Sequence, residues 1–211
     1  LDMLPQARRE WNRAFADLPP DRQKQAAALA SAKGWYDRAV FAFGKSGDLA
    51  YYALRFPLAD RQRVLKAARD AGIDPAWAFA IIRAETAWQT DAQSGADARG
   101  LMQLLPGTAK MVARRSGLAY DGAASLYDPA INIPLGTQYL ANLAQRFDGS
   151  PWLASAAYNA GPANARRWVD ARGNLDPEAF ILAIPFNETR DYVTRVMSFA
   201  TIYGWRLHGE P

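Results

Sequence analysis

The stretch Ile81-Ile82-Arg83-Ala84-Glu85-Thr86 puts a carboxylate where a buried apolar residue belongs. Ala78, Ile81 and Ile82 fall at i, i+3 and i+4 on a helix opened by Asp74-Pro75, and Glu85 is i+7 on the same stripe. Its side chain is therefore expected to point toward the core or a cleft. It also lies near the helix C-terminus, where the macrodipole disfavours negative charge. Trp77 and Trp88 are close enough in sequence to shield it. Desolvation and the dipole both raise a carboxyl pKa. A carboxylic acid that keeps its proton near neutral pH is what general acid catalysis requires. The plain alternative is a helix-end glutamate that turns out to solvent or meets Arg83 or Arg99.

Two later stretches add polar groups suited to a ligand. A loop rich in small polar residues ends in Gly100-Leu101-Met102-Gln103. The glycine lets backbone approach a ligand closely, and the Gln103 amide offers donors and an acceptor. Ala157-Tyr158-Asn159-Ala160-Gly161 closes a helix opened by Ser150-Pro151. A tyrosine ring and an amide suit sugar recognition, although taken alone this stretch also reads as a helix C-cap with a buried tyrosine.

The composition narrows the chemistry. Of 211 residues none is cysteine and one is histidine, His208, close to the C-terminal end. Disulfides, thiolate nucleophiles and Cys/His zinc sites are excluded, and a Ser-His-Asp triad has no well-placed base. No metal and no cofactor is expected. The net charge of +4 favours an acidic polymer as partner. The basic residues are scattered apart from pairs such as Arg114-Arg115 and Arg166-Arg167, which read as a solvated mixed surface. No nucleic-acid motif is present, so no nucleic acid is expected as partner. The opening LDMLPQARRE has no charged-then-apolar leader, so no signal peptide is expected, and no run is apolar enough to form a transmembrane segment.

The elements that must position these groups read almost entirely as helix, so the fold class is mainly α. Asp74-Pro75, Asp128-Pro129, Ser150-Pro151 and Asp176-Pro177 each pair a capping side chain with proline at the first helical position. Asn187 is a fifth candidate cap, and Gly161, Gly173 and Gly204 are candidate stops, Gly204 fitting equally inside the last helix. Residues 6–15, 21–32 and 35–43 read as short amphipathic helices, too few to enclose a core of their own. Arg55-Phe56-Pro57 marks a boundary between a helical segment, 1–57, and a denser helical domain, 58–211.

Four motifs in order carry a resemblance: Glu85-Thr86, then Gly100-Leu101-Met102-Gln103, then Ala157-Tyr158-Asn159-Ala160-Gly161, then Ile184-Pro185-Phe186-Asn187-Glu188-Thr189-Arg190-Asp191-Tyr192-Val193. Together they resemble the soluble lytic transglycosylases, bacterial enzymes that cleave the glycan strands of peptidoglycan. The resemblance spans residues 58–207, and its last motif points to the large subfamily whose catalytic domain follows a ring of helical pairs. It implies that 1–57 is the end of that α-superhelical domain, and that 58–211 is a lysozyme-like α-helical catalytic domain related to goose-type lysozyme. It implies peptidoglycan glycan strands as partner and a periplasmic location; no protein partner is indicated.

The resemblance also assigns roles. Glu85 is the implied catalytic acid and base, cleaving the MurNAc-β-1,4-GlcNAc bond without water to leave a 1,6-anhydro product. Thr86, Ser94, Gly100, Met102, Gln103, Leu105, Tyr158, Asn159 and Glu188 fall on positions implied to line or shape the glycan site. Glu188 also suits the first turn of a helix whatever the ligand. Three residues depart from the family pattern. Thr86 replaces a serine and keeps a hydroxyl able to bond the carboxyl; Asp97 replaces a glycine and brings a charge expected to raise the Glu85 pKa or alter substrate fit; Leu105 replaces a methionine. Ordinary glycosidases use two carboxyl groups, and Asp91 and Asp97 are the nearest candidates for a second. A lysozyme-type hydrolase on the same fold and a non-catalytic peptidoglycan-binding protein are the alternatives.

Overall fold

The computed structural model describes residues 3–45 and 51–209. Leu1 and Asp2, at the head of the stretch read for a leader, and residues 46–50 of the N-terminal segment lie outside them. The chain divides into two compact units, Leu1–Ala59 and Asp60–Pro211. Its named elements are all helical; extended pairing among the described residues is limited to isolated bridges at Gln93, Arg99 and Leu104.

The first unit holds α1 (Leu4–Ala16), α2 (Pro20–Ala32), α3 (Tyr36–Lys45) and the single turn α4 (Tyr52–Arg55). Its core is small: Ala27, Ala39 and Phe43, with Phe15, Ala42 and Leu54 packed around them. Helix α1 buries none of its residues. It adds aromatic contacts instead, Trp11 lying 5.8 Å from Phe15 and 5.5 Å from Trp35. Asp37 is buried and held by Arg38 at 2.8 Å, so its charge is compensated locally.

The second unit contains α5 (Arg61–Ala71), α6 (Pro75–Glu85), α7 (Pro106–Ser116), a 3-10 turn at Ala123–Tyr127, α8 (Pro129–Arg146), α9 (Pro151–Ala160), α10 (Pro162–Arg172), α11 (Pro177–Leu182) and α12 (Asn187–His208). The four Asp/Ser-Pro pairs do cap helices. Asp74 accepts from Ala76 N, Asp128 from Ala130 N, Ser150 from Leu153 N and Asp176 from Ala179 N. Asn187 does not. It is already inside α12, and its Oδ1 accepts from Arg190 at 2.6 Å. Gly161, at φ +86°, separates α9 from α10; Gly173 follows α10 in a right-handed conformation, and Gly204 lies within α12.

Helix α6 is more central than its stripe suggested. All of Ala76 to Ile82 is buried, so apolar neighbours surround the helix on every side. Helix α12 is its main partner: Phe79 stacks on Tyr203 at 5.1 Å, and Trp88, just beyond α6, donates its indole N–H to the Tyr203 hydroxyl at 3.2 Å. On the α9 side, Trp77 donates to Ser155 Oγ at 3.0 Å. A neighbouring cluster of Leu104, Val112, Leu126 and Leu135 joins α7 and α8 to the loop carrying Gly100–Gln103.

One fully buried polar side chain fastens that loop. Asn132 Oδ1 accepts from Met102 N at 2.8 Å, and its Nδ2 donates to Leu126 O at 2.8 Å and Arg99 O at 2.9 Å. Three backbone groups, two in the Gly100 loop and one at Leu126, thus depend on one amide. Leaving a buried polar group unpaired costs about 1–3 kcal/mol. Asn132→Ala should therefore destabilise the protein by about 3 kcal/mol or more in urea unfolding. A loss within about 0.5 kcal/mol, the usual range for an exposed surface change, would show that the loop is held by other means.

Candidate active site

Glu85 is the last residue of α6 and Thr86 is its C-cap, so the carboxyl sits at the negative end of the helix dipole. Its side chain is partly exposed, yet protein packed around the carboxyl strips most of its water. Burial raises its pKa from 4.5 to about 7, opposed by the Tyr192 hydrogen bond and Arg195 and assisted by the Glu188 charge. Tyr192 donates its hydroxyl to Glu85 Oε1 at 2.6 Å. The two expected tryptophan shields are buried, but their N–H groups are committed to Ser155 and Tyr203. Nor do the expected arginines take up the carboxylate in these contacts: Arg99 pairs with Asp97 at 2.8 Å, and Arg83 lies over the Phe199 ring.

Tyr192 is the residue whose role the sequence did not disclose. It is a buried member of α12, and Glu188, Tyr192 and Arg195 are spaced i, i+4, i+7. That spacing puts a carboxylate, a phenol and a guanidinium on one helix face, and all three act on Glu85. A polar stripe on an otherwise half-buried helix was the available signal.

The remaining motif residues converge, though several do so as supports. Tyr158 donates to Met102 O at 2.7 Å and its ring meets Tyr139 at 5.3 Å. Burial, helped by the Glu85 charge, pushes its phenol well above the usual range. Asn159 Oδ1 accepts from Thr189 at 2.7 Å, which leaves its amide N–H2 donating to no described residue. Gln103 spends its amide N–H2 on Ala92 O and Gly100 O, keeping its carbonyl oxygen available. Leu105 is exposed just before α7, and Glu188 is exposed in the first turn of α12.

Four expectations change. A Cβ at Gly100 would lie 1.9 Å from Leu126 O, so the glycine makes room for the protein's own backbone rather than for a ligand. Met102 is wholly buried, with its sulfur against Thr137 and Gly136, and supports the site from beneath. The Thr86 hydroxyl bonds Leu101 O at 3.0 Å rather than the carboxyl, tying the end of α6 to the loop. Ser94 is used within its own loop, accepting from Ala96 N and Ala98 N.

The Transglycosylase SLT domain matches residues 62–181, more than half of the chain. The chain belongs to that family. Residues 1–49 match the Soluble lytic murein transglycosylase L domain, and 183–211 the Soluble lytic transglycosylase helical domain. The soluble lytic murein transglycosylase of Salmonella typhimurium is 38% identical over 93% of this chain and 31% of its own length. Its counterpart from Escherichia coli K12 is 36% identical over 97% of this chain and 32% of its own. Among solved structures, an inactive Glu→Gln mutant of lytic transglycosylase Slt from Pseudomonas aeruginosa is similar at a TM-score of 0.92 and 39% identity, covering 100% of this chain and 34% of that one. The 70 kDa soluble lytic transglycosylase of Escherichia coli gives 0.90 and 36%, covering 97% and 33%. The chain spans about a third of the length of these relatives.

Within this SLT domain the Asp97 departure is explained by backbone. Asp97 has φ +66°, a conformation that glycine adopts freely and aspartate tolerates. Its charge is taken up by Arg99 and by Gln93 Nε2 at 2.7 Å, and the carboxylate that raises the Glu85 pKa is Glu188 instead.

Two outcomes follow from the electrostatics. The Tyr192 hydroxyl lowers the Glu85 pKa, so Tyr192→Phe should move the Glu85 titration to higher pH, observed by carboxyl carbon NMR; an unchanged midpoint would remove Tyr192 from the site. Stability carries the opposite sign from a salt-bridged carboxylate. The folded chain holds this proton from about 4.5 up to about 7, where the unfolded chain has released it, so stability falls as pH rises through that window. Glu85→Gln should therefore gain Tm relative to the parent between pH 4.5 and 7, by the equivalent of roughly 3 kcal/mol at its fullest. Parallel Tm curves across that window would contradict the raised pKa.

Proposed function

We propose that this chain is a peptidoglycan lytic transglycosylase in which Glu85 acts first as acid and then as base. The observation that carries the reading is a carboxyl at the end of a buried helix, hydrogen-bonded to the Tyr192 hydroxyl, whose burial raises its pKa to about 7. A group balanced near neutrality can give up a proton and recover one within a single turnover. The names of the relatives supply the substrate class: soluble lytic murein transglycosylases.

In the proposed reaction, protonated Glu85 gives its proton to the glycosidic oxygen between N-acetylmuramic acid and N-acetylglucosamine. The C1–O bond breaks, and the glucosamine leaves with a free 4-hydroxyl. The neighbouring 2-acetamido group stabilises the positive charge at C1. Glu85, now a carboxylate, takes the proton from the C6 hydroxyl of the same muramic residue, and O6 bonds to C1. The product is a 1,6-anhydromuramyl end, no water is consumed, and Glu85 returns to its starting state. Because the attacking hydroxyl is part of the substrate, its effective concentration is high.

Roles for neighbouring residues follow from their free groups. The Asn159 amide N–H2 and the Gln103 carbonyl face the chemistry of sugar hydroxyl and acetamido groups, Tyr158 offers a ring edge, and Leu105 an apolar lip. Thr86, Gly100 and Met102 hold the loop that presents them. Ser94 shapes the preceding turn. We propose a periplasmic location, in keeping with a substrate of this kind.

One observation favours a second reading. The Glu188 charge acts on Glu85, and a carboxylate on that side could activate water in a hydrolase. The product end separates the two. Mass spectrometry of soluble products from purified peptidoglycan should find muropeptides lighter by one water than lysozyme products. Glu85→Gln should reduce them about a thousandfold. Ordinary reducing ends would transfer the assignment to a hydrolase and direct attention to Glu188. No products from the parent chain would leave a binding role.

A further inference from the structure

The serine and threonine hydroxyls of α12 are used in two different ways. Thr194, Ser198 and Thr201 are exposed and turn back to the carbonyl four residues behind them in the same helix, at 3.0, 2.9 and 3.2 Å. Such bonds are local and serve no other element. Thr189 is 2% exposed, and its hydroxyl crosses to α9, donating to Asn159 Oδ1 at 2.7 Å. It stands in the first turn of α12, so no carbonyl of that helix lies four residues behind it. The hydroxyl is thereby left to a neighbouring helix.

That bond lies beside the acid. Thr189 precedes Tyr192 by three residues, a rise of about 4.5 Å along the helix, and both belong to its buried face. Tyr192 donates to Glu85, and Thr189 donates to Asn159. Asn159 in turn follows Tyr158, a phenol raised by burial and by the Glu85 charge. One face of α12 therefore holds the acid with one hydroxyl and an amide of α9 with another.

The second bond decides which end of the amide is on offer. A carboxamide donates at one end and accepts at the other. With Oδ1 committed to Thr189, the end that remains is N–H2. It donates to no described residue, and it is not among the buried polar atoms that lack a partner. Gln103 is fixed the other way round, its N–H2 spent on Ala92 O and Gly100 O and its oxygen left over. A sugar hydroxyl satisfies either end. An acetamido carbonyl satisfies only a donor. The ammonium that remains when the acetyl group is removed satisfies only an acceptor. The direction of Asn159 therefore bears on which of these two sugars the site takes.

We infer that Thr189 is a positioning residue, which fixes the Asn159 amide with its N–H2 toward the glycan and so favours N-acetylated sugar over the de-N-acetylated form. The inference rests on the glycan reading above and adds to it a residue that touches neither the substrate nor Glu85. Valine would fill much the same space at 189 but would leave Asn159 Oδ1 without its donor, free to turn outward.

The test compares the parent chain with Thr189→Val and Thr189→Ser. Calorimetry measures binding of a β-1,4-linked N-acetylglucosamine hexasaccharide and of the same hexasaccharide fully de-N-acetylated. The parent should prefer the acetylated probe, and Thr189→Val should shrink that preference about tenfold, the worth of one neutral hydrogen bond. Thr189→Ser keeps the hydroxyl and should restore the parent's preference. The pH midpoint of peptidoglycan turnover should stay where it is in Thr189→Val, which separates this role from that of Tyr192. An equal loss on both probes in Thr189→Val, or a Thr189→Ser that behaves like it, would reduce Thr189 to a packing residue and overturn the inference. A parent that prefers the de-N-acetylated probe has its amide the other way round, which also overturns it. So does a parent that binds neither probe. Cleavage of peptidoglycan by the parent decides the transglycosylase reading separately.

Discussion

A carboxyl group must be kept short of water without being handed to a cation. The second unit is arranged around that constraint. Glu85 ends a helix buried on every side from Ala76 to Ile82, so the backbone delivering it cannot shift without disturbing the core. Burial drives its pKa upward, and the group within hydrogen-bond reach is a neutral phenol rather than a guanidinium. A bonded arginine would have secured a permanent carboxylate and removed the acid. Arg99 is held by Asp97, while Arg195 is exposed to solvent and acts on Glu85 through its charge. The site is therefore balanced by what the cations are doing elsewhere as much as by what touches Glu85.

That balance needs loop segments held as firmly as helices. Extended pairing among the described residues is confined to isolated bridges, so side chains take over the work of a sheet. Asn132 binds three backbone groups of the Gly100 loop and its neighbours; Thr86 binds Leu101, Tyr158 binds Met102, and Thr189 binds Asn159. Most of these bonds join segments far apart in the chain, and most are sheltered from competing water, which makes an unpaired partner costly. Small residues permit the close approach. Gly100 lies against Leu126 and Asn132, and Gly136 leaves space for the Met102 sulfur. Motif residues that looked like ligand contacts are in part the joinery that keeps ligand contacts in place.

Charge is distributed unevenly around this core. Near Glu85 it is mixed, with Glu188 and Arg195 on one face of α12 opposing each other in their effect on the acid. Along α7 and the end of α8 it is cationic and unpaired among the described residues. The first unit keeps its buried charge matched locally, through Asp37 and Arg38. A net charge of +4 conceals these differences.

Much of the local structure was legible in the sequence because its causes are local. Asp74, Asp128, Ser150 and Asp176 cap helices since a side-chain oxygen and a following proline satisfy backbone groups within three residues. The i, i+3, i+4, i+7 spacing placed Glu85 on the wrong side for a charge, and the order of four motifs pointed to the family. Asn187 failed as a cap because Phe186 already occupied that position, a shift of one residue that propensity cannot resolve. What only the tertiary structure decided depends on distance in space. Tyr192 reaches a carboxyl 107 residues away, Asn132 reaches a loop 30 residues away, and the Asp97 charge is absorbed by Arg99 before it can influence the acid. Sequence patterns reveal which face of a helix is buried, but the groups that meet that face are chosen by packing, and packing sets the desolvation and the hydrogen bonds from which the chemistry follows.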